Sequence, residues 1–187
     1  MTTVYFDYAC EYTYRLQRLL DMADVQADWQ PFSLAQAKRG ETETPVWNLA
    51  GSDLPVSVLA LAGHEFVKAQ GGPGIKAYRQ EVSHLFHEVG HEPDAGQIWH
   101  LVEKFTGYAK ADLDLEGALE RVKTSHELAE AKRVFDTPTL FIDESDKPYF
   151  IRLEAIPETP QAAKALWKSL PKSAHHFPRP ITIEAVD

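Results

Sequence analysis

The sequence predicts an α/β fold on a mixed central sheet, with elements running β-α-β, then a block of helices, then β-β-α. Three observations carry that prediction. Residues 1–32 hold a β-branched and aromatic run, an apolar stripe at helical spacing and a second alternating run. Residues 54–132 keep helical periodicity throughout and carry no strand signal. The chain then closes with two strand-like runs either side of the turn ESDKP, followed by a helix start.

The first strand is expected at VYFDY, 4–8, and the first helix over 11–23, where Tyr12, Leu16, Leu19, Leu20 and Ala23 share one face. ADWQPF at 27–32 alternates apolar and polar residues and reads as the second strand. A two-residue link from strand to helix and a helical crossover make this pair parallel. Residues 38–53 are polar, contain Pro45 and Gly51, and read as a loop.

Asp53 and Pro55 mark a helix start, and Val58, Leu59, Ala62, Phe66 and Ala69 trace its apolar face. Gly71-Gly72-Pro73 ends it. A second helix follows with Ile75, Tyr78, Val82, Leu85, Phe86 and Val89 buried. Further helices are expected over 94–106 and over 115–132, the latter with Leu115, Ala118, Leu119, Val122 and Ala129 in register. A strand is expected in VFDTPTLFID, 134–143, opened by Thr137-Pro138, and another in YFIRL, 149–153. Thr159-Pro160 places a cap before a proline at the first helical position, ahead of Ala163, Leu166, Trp167 and Leu170. The tail 171–187, with three prolines, is expected to be extended.

Composition removes several function classes. The 187 residues suffice for a packed core without staples, and one cysteine excludes an intramolecular disulfide framework, so a reducing compartment fits. A formal net charge of −9 argues against nucleic acid or an anionic membrane surface as partner, since both need clustered Lys and Arg. The start MTTVYFDYACEY shows no basic n-region and no apolar h-region. LPVSVLALAG at 54–63 is too short to span a bilayer, which takes about 20 residues. The expectation is a soluble cytoplasmic protein, monomer or homodimer.

The one cysteine, Cys10, falls at the predicted first strand-to-helix junction, in the run Cys10-Glu11-Tyr12-Thr13. A solitary cysteine is more often an inert, buried small hydrophobe, so its position has to carry any functional reading. HEVGH at 87–91 matches a zinc-hydrolase pattern that needs both histidines on one helical face. Gly90 lies inside it where the periodicity stops, Pro93 follows, and only Glu116 offers a distant third ligand, so no metal is expected. His175-His176 has no partner at metal spacing, and the glycines at 71, 72 and 74 break helices rather than cradle a phosphate. Trp47, Trp99 and Trp167 are candidates to line a cleft, although helical spacing makes core the default for the last two.

The element order, the Cys-x-x-Thr at the first turn and the Thr-Pro before the third strand together resemble the thioredoxin fold with a helical insertion. More narrowly the chain resembles the cytoplasmic branch of the DsbA-like family: mycothiol-dependent reductases, 2-hydroxychromene-2-carboxylate isomerases and kappa-class glutathione transferases. VYFDYACEYT is similar to that family's opening strand and active-site turn, VFDTPTLFID to its Pro-Thr strand, and AIPETPQAAKALWKSL to the closing helix of the mycothiol-dependent reductases. The resemblance implies a thioredoxin-like domain from 1–37 and 133–187, with 54–132 as a helical subdomain set as a lid over one end. It also implies that Cys10 is the nucleophile and that Pro138 is cis and lies against it, with the Thr137 backbone offered to substrate. Two departures matter: Thr13 stands where the family has its second cysteine, and Glu11 where it has a proline.

Those departures set the chemistry. A cysteine in the first turn of a helix faces unpaired N–H groups and the positive end of the macrodipole, both of which favour the thiolate. The Thr13 hydroxyl, three residues on, can donate to that thiolate. Asp7 and Glu11 act the other way, and Arg15, four residues from Glu11, partly neutralises it. Without a resolving cysteine, the second sulfur must arrive from solution as mycothiol or glutathione. The expected activity is a monothiol thiol-disulfide oxidoreductase or thiol transferase, with Cys10 and Thr13 catalytic and Tyr12, Thr137 and Pro138 binding substrate. The alternatives are a kappa-like transferase or isomerase, where Thr13 or Tyr12 holds a cofactor thiolate that attacks an electrophile, and a non-catalytic module that kept only the fold.

Overall fold

The computed structural model describes residues 1–40, 42–71, 74–142, 147–173 and 181–183, with side chains to residue 170. Its elements are β1 (Thr2–Phe6), α1 (Glu11–Ala23), β2 (Ala27–Pro31), α2 (Leu34–Ala37), α3 (Val56–Ala69), α4 (Gly74–His87), α5 (Ala95–Thr106), α6 (Leu115–Ala131), β3 (Thr139–Phe141), β4 (Tyr149–Leu153), α7 (Pro160–Ser173) and β5 (Ile181–Ile183). The chain divides into two compact units, Met1–Phe32 with Ala129–Asp187, and Ser33–Leu128.

The first unit is built on a five-stranded mixed sheet of order β2-β1-β3-β4-β5. β1 pairs parallel with β2 and antiparallel with β3, β3 antiparallel with β4, and β4 parallel with β5. β1 therefore lies inside the sheet, and Val4 and Phe6 are fully buried. α1 packs against α7 and β4. Leu16, Leu19 and Leu20 on α1 join Leu140, Ile151 and Leu153 from the sheet in the core. α7 starts where the sequence placed it, with Thr159 Oγ1 accepting from Ala162 N at 3.2 Å.

Several boundaries differ from expectation. β1 covers 2–6 rather than 4–8, because Asp7 leaves the strand to build the turn into α1. Tyr8 is buried not as a strand residue but by its edge-on contact with Phe6, centroids 5.1 Å apart. The link to α1 is therefore four residues long. β3 is only three residues. Part of the ESDKP turn lies outside the described residues. In the tail, 171–173 continue α7 instead of being extended, and Ile181–Ile183 adds a fifth strand beside β4. The remaining tail, with His175-His176, lies outside the described residues, as do Gly72 and Pro73.

In the second unit α3 is buried on every side from Val58 to Val67, His64 and Glu65 included, rather than along one stripe. Its outermost residue of the expected stripe, Ala69, is exposed. Pro55 occupies the cap position before α3, and Asp53 belongs to a preceding single 3-10 turn. A second such turn, at 46–48, lies in what reads as a loop. Gly63 is the point of closest approach: a methyl there would run into Tyr78 Oη and come within 2.7 Å of Val102 Cγ2. Tyr78 is fully buried and donates to the Ala60 carbonyl at 3.1 Å, joining α3 to α4. Among the described residues no helix is long and apolar enough to cross a membrane.

Candidate active site

The site is assembled from two short runs of the first unit, Asp7–Thr13 and Asp136–Thr139. Asp7, fully buried, accepts from Ala9 N through Oδ1 at 2.9 Å and from Cys10 N through its carbonyl at 3.2 Å. This side-chain turn reverses the chain after β1 and delivers Cys10 to the N-cap of α1, with φ −89° and ψ 116°. The Cys10 carbonyl then accepts from Tyr14 N at 3.1 Å and starts the helix. Asp7, expected only as a nearby negative charge, is the residue that presents the thiol.

Cys10 is buried, 8% exposed, and its Sγ–H donates to the Thr137 carbonyl at 3.2 Å, across 127 residues of sequence. Only the protonated thiol can make that bond. The Thr137–Pro138 peptide is cis, as the resemblance implies, and Pro138 is buried beside Thr139, the first residue of β3. Both backbone polar groups of Thr137 are engaged, its N–H donating to Asp136 Oδ1 at 2.8 Å. Thr139 Oγ1 donates to the Asp136 carbonyl at 2.7 Å and fixes the same turn.

Two hydroxyls of the site are buried without a hydrogen-bond partner: Thr13 Oγ1, its residue 2% exposed, and Thr137 Oγ1, its residue fully buried. Native interiors rarely leave polar groups unpaired, and each such group costs about 1–3 kcal/mol. Thr13 is the third residue of α1 and Cys10 its N-cap, so the two lie on one side of the helix start. Tyr12 is half-buried next to them. The arrangement offers a thiol at a helix N-cap, a carbonyl that holds its proton, and two buried hydroxyls in want of a partner.

Arg15 does more than the i,i+4 pairing with Glu11, which it makes. Its Nη1 also donates to the Leu153 and Glu154 carbonyls at 2.8 and 2.7 Å, tying α1 to the end of β4. Arg152 is a site residue that sequence reasoning passed over. Its guanidinium lies 5.3 Å from the Tyr12 ring centroid and 5.2 Å from that of Phe150, with Nη2 at 3.7 Å from Asp136 Oδ2. The signal was available: a lone cation inside the apolar strand YFIRL.

Other candidates do not converge on a site. α4 stops at His87 and Gly90 takes φ +86°, so His91 falls in the following loop, its Nδ1 3.1 Å from the Glu92 carbonyl. The two histidines of HEVGH thus share no helical face. Among the described residues no group of three or more His, Cys, Asp or Glu is placed to hold a metal ion. Trp47 and Trp99 line a cleft of about 870 Å³ with Leu54, Leu59 and Leu119, wholly within the helical unit. Trp167 is half-buried on α7.

No protein-family model and no curated protein matches the chain by sequence. Solved structures do match in shape. A 2-hydroxychromene-2-carboxylate isomerase superposes with TM-score 0.56 at 16% identity, over 92% of this chain and 95% of that one. A probable DsbA oxidoreductase from Streptomyces coelicolor gives 0.56 at 12%, over 96% and 92%. The cytosolic disulfide reductase DsbM from Pseudomonas aeruginosa gives 0.52 at 13%, over 92% and 99%. At such identities the likeness is one of fold: the chain has the thioredoxin-like fold of DsbA-like proteins, with a helical block between β2 and β3.

Proposed function

We propose that the chain is a single-cysteine thiol–disulfide oxidoreductase or thiol transferase that works with a low-molecular-weight thiol, mycothiol or glutathione, and that Cys10 is its nucleophile. The observation that carries this reading is the 3.2 Å bond from Cys10 Sγ to the Thr137 carbonyl, which joins the lone thiol at a helix N-cap to the turn before Pro138. A merely space-filling cysteine needs neither the helix terminus nor that partner.

In the first step the Cys10 thiolate attacks the small-thiol sulfur of a mixed disulfide. The S–S bond breaks, the substrate leaves as a thiolate that takes a proton from solvent, and the small thiol stays on Cys10. A second small-thiol thiolate then attacks that adduct, forming the symmetrical small-thiol disulfide and freeing Cys10. Electrons balance: one disulfide is reduced and one is formed. Deprotonation of Cys10 frees the Thr137 carbonyl to accept from the incoming group, and the Thr13 hydroxyl donates to the thiolate. Tyr12 and the buried Pro138 bound the substrate.

One observation favours a second reading. Cys10 donates its proton to a carbonyl while the Thr13 hydroxyl has no partner, so Thr13 could instead hold the thiolate of a bound cofactor that attacks an electrophile, in a transferase or isomerase. Replacing Cys10 with Ser separates the two. Turnover of a mixed disulfide of 2-mercaptoethanol with glutathione or mycothiol should vanish on the first reading. Electrophile conjugation that survives in that variant and disappears in Thr13→Ala would establish the second. A folded wild-type chain inert in both assays would leave a binding module. The reaction with a small-thiol pool fits a reducing, cytoplasmic setting.

A further inference from the structure

We propose that Arg152 is the specificity-determining residue of the Cys10 site and selects disulfide substrates that carry a carboxylate or another anionic group near the reacting sulfur; this rests on Cys10 being the nucleophile. β3 and β4 pair antiparallel with Thr139 opposite Phe150, and Ile151 N donates to the Pro138 carbonyl at 3.2 Å. Continued by one step, that register sets Arg152 across from Thr137, the residue whose carbonyl holds Cys10. The side chain also reaches the Tyr12 ring, two residues beyond Cys10. Arg152 thus lies beside both chain segments that build the candidate site, against Tyr12 of one and Asp136 of the other.

The guanidinium is held there but not saturated. Tyr12 and Phe150 lie within cation–π range. Asp136 Oδ2 stands 3.7 Å from Nη2, too far for a hydrogen bond, and Nε is buried with no partner. The Arg152 side chain keeps 40% of its surface open. A planar group so oriented, with free N–H donors, suits a carboxylate, which it can grip with two parallel bonds. Arg15 is not a competitor, since Glu11 and the Leu153 and Glu154 carbonyls occupy it.

The test is the rate at which the folded chain forms a mixed disulfide at Cys10 with three reagents of different charge: anionic dithiobis(nitrobenzoate), neutral dithiodipyridine and cationic cystamine. Each rate is divided by that of a neutral free thiol with the same reagent. The wild-type chain should favour the anionic over the cationic reagent by about tenfold, the lower end of electrostatic focusing effects. In 1 M salt, where the Debye length is about 3 Å, that preference should shrink. Arg152→Met should remove the preference, the anionic reagent's rate falling relative to the neutral reagent's, while Arg152→Lys should restore part of it. Equal normalised rates across the series, or an equal loss toward all three in Arg152→Met, would overturn the role of Arg152 alone. No reaction of the folded wild-type chain with any reagent would overturn the nucleophile reading and this proposal with it.

Discussion

Replacing Thr13 with Val should raise stability and lower activity together. The two side chains are nearly equal in size and in helix propensity, so the change removes a hydroxyl and little else. Thr13 Oγ1 is buried without a partner, in a residue 2% exposed. An unsatisfied buried hydroxyl costs about 1–3 kcal/mol, so exchanging it for a methyl should add roughly 1–2 kcal/mol to the unfolding free energy. If the same hydroxyl donates to a thiolate at the N-cap, its loss removes a charge-assisted bond of about 1.5–3 kcal/mol and slows the reaction about tenfold or more. Urea titration followed by tryptophan fluorescence gives the first number, and mixed-disulfide turnover gives the second. A lower urea midpoint would mean that the hydroxyl has a structural partner. Unchanged turnover would mean that it never meets the sulfur. Either result breaks the argument at a different joint.

Three further outcomes follow from the geometry. Thr13→Cys puts a second thiol three residues from the first on one side of the helix start, within disulfide reach. Under oxidised glutathione it should lose two hydrogens by mass and no longer be alkylated, whereas two persistent thiols would show that position 13 does not face Cys10. Gly63→Ala should destabilise the helical unit by roughly 2–4 kcal/mol, since the new methyl displaces Tyr78 from its bond to the Ala60 carbonyl and crowds Val102. Propensity alone would predict about 1 kcal/mol of stabilisation for the same change, so a higher urea midpoint refutes the packing account. Asp136→Asn should strengthen the preference of Cys10 for anionic disulfides, because it removes the carboxylate that lies 3.7 Å from Arg152; a weakened preference would mean that Asp136 orients the guanidinium instead.

What was legible in the sequence was local. α1 begins and ends where the spacing of Leu16, Leu19, Leu20 and Ala23 placed it, because an amphipathic stripe needs no distant information. Thr159-Pro160 marked the start of α7 for the same reason. β1 was misplaced by two residues because Tyr8 looks like a strand residue by type, while its burial comes from an edge-on contact with Phe6. β5 was missed because Ile181–Ile183 is too short for a period and follows a proline-rich run. Its pairing comes wholly from β4. The site divides in the same way. Cys10 at a helix start could be read from the local pattern, but its bond to Thr137 depends on β1 and β3 becoming neighbours. Arg152 depends on the register of β3 against β4, which a three-residue strand paired at two positions does not announce.

The chain spacing of that bond also bears on how the protein is made. Cys10 leaves the ribosome well ahead of its acceptor, which lies 127 residues downstream. At about 5–20 residues per second, synthesis of the intervening length takes roughly 6–25 s. Throughout that interval the thiol has no strand β3 to shelter against, and any oxidant or electrophile nearby meets an open cysteine. A nascent chain stalled before Thr137 should therefore be modified at Cys10 far faster than the finished one. The order of the elements makes the Cys10 segment the first part of the candidate site to be made, and its thiol the last to be covered.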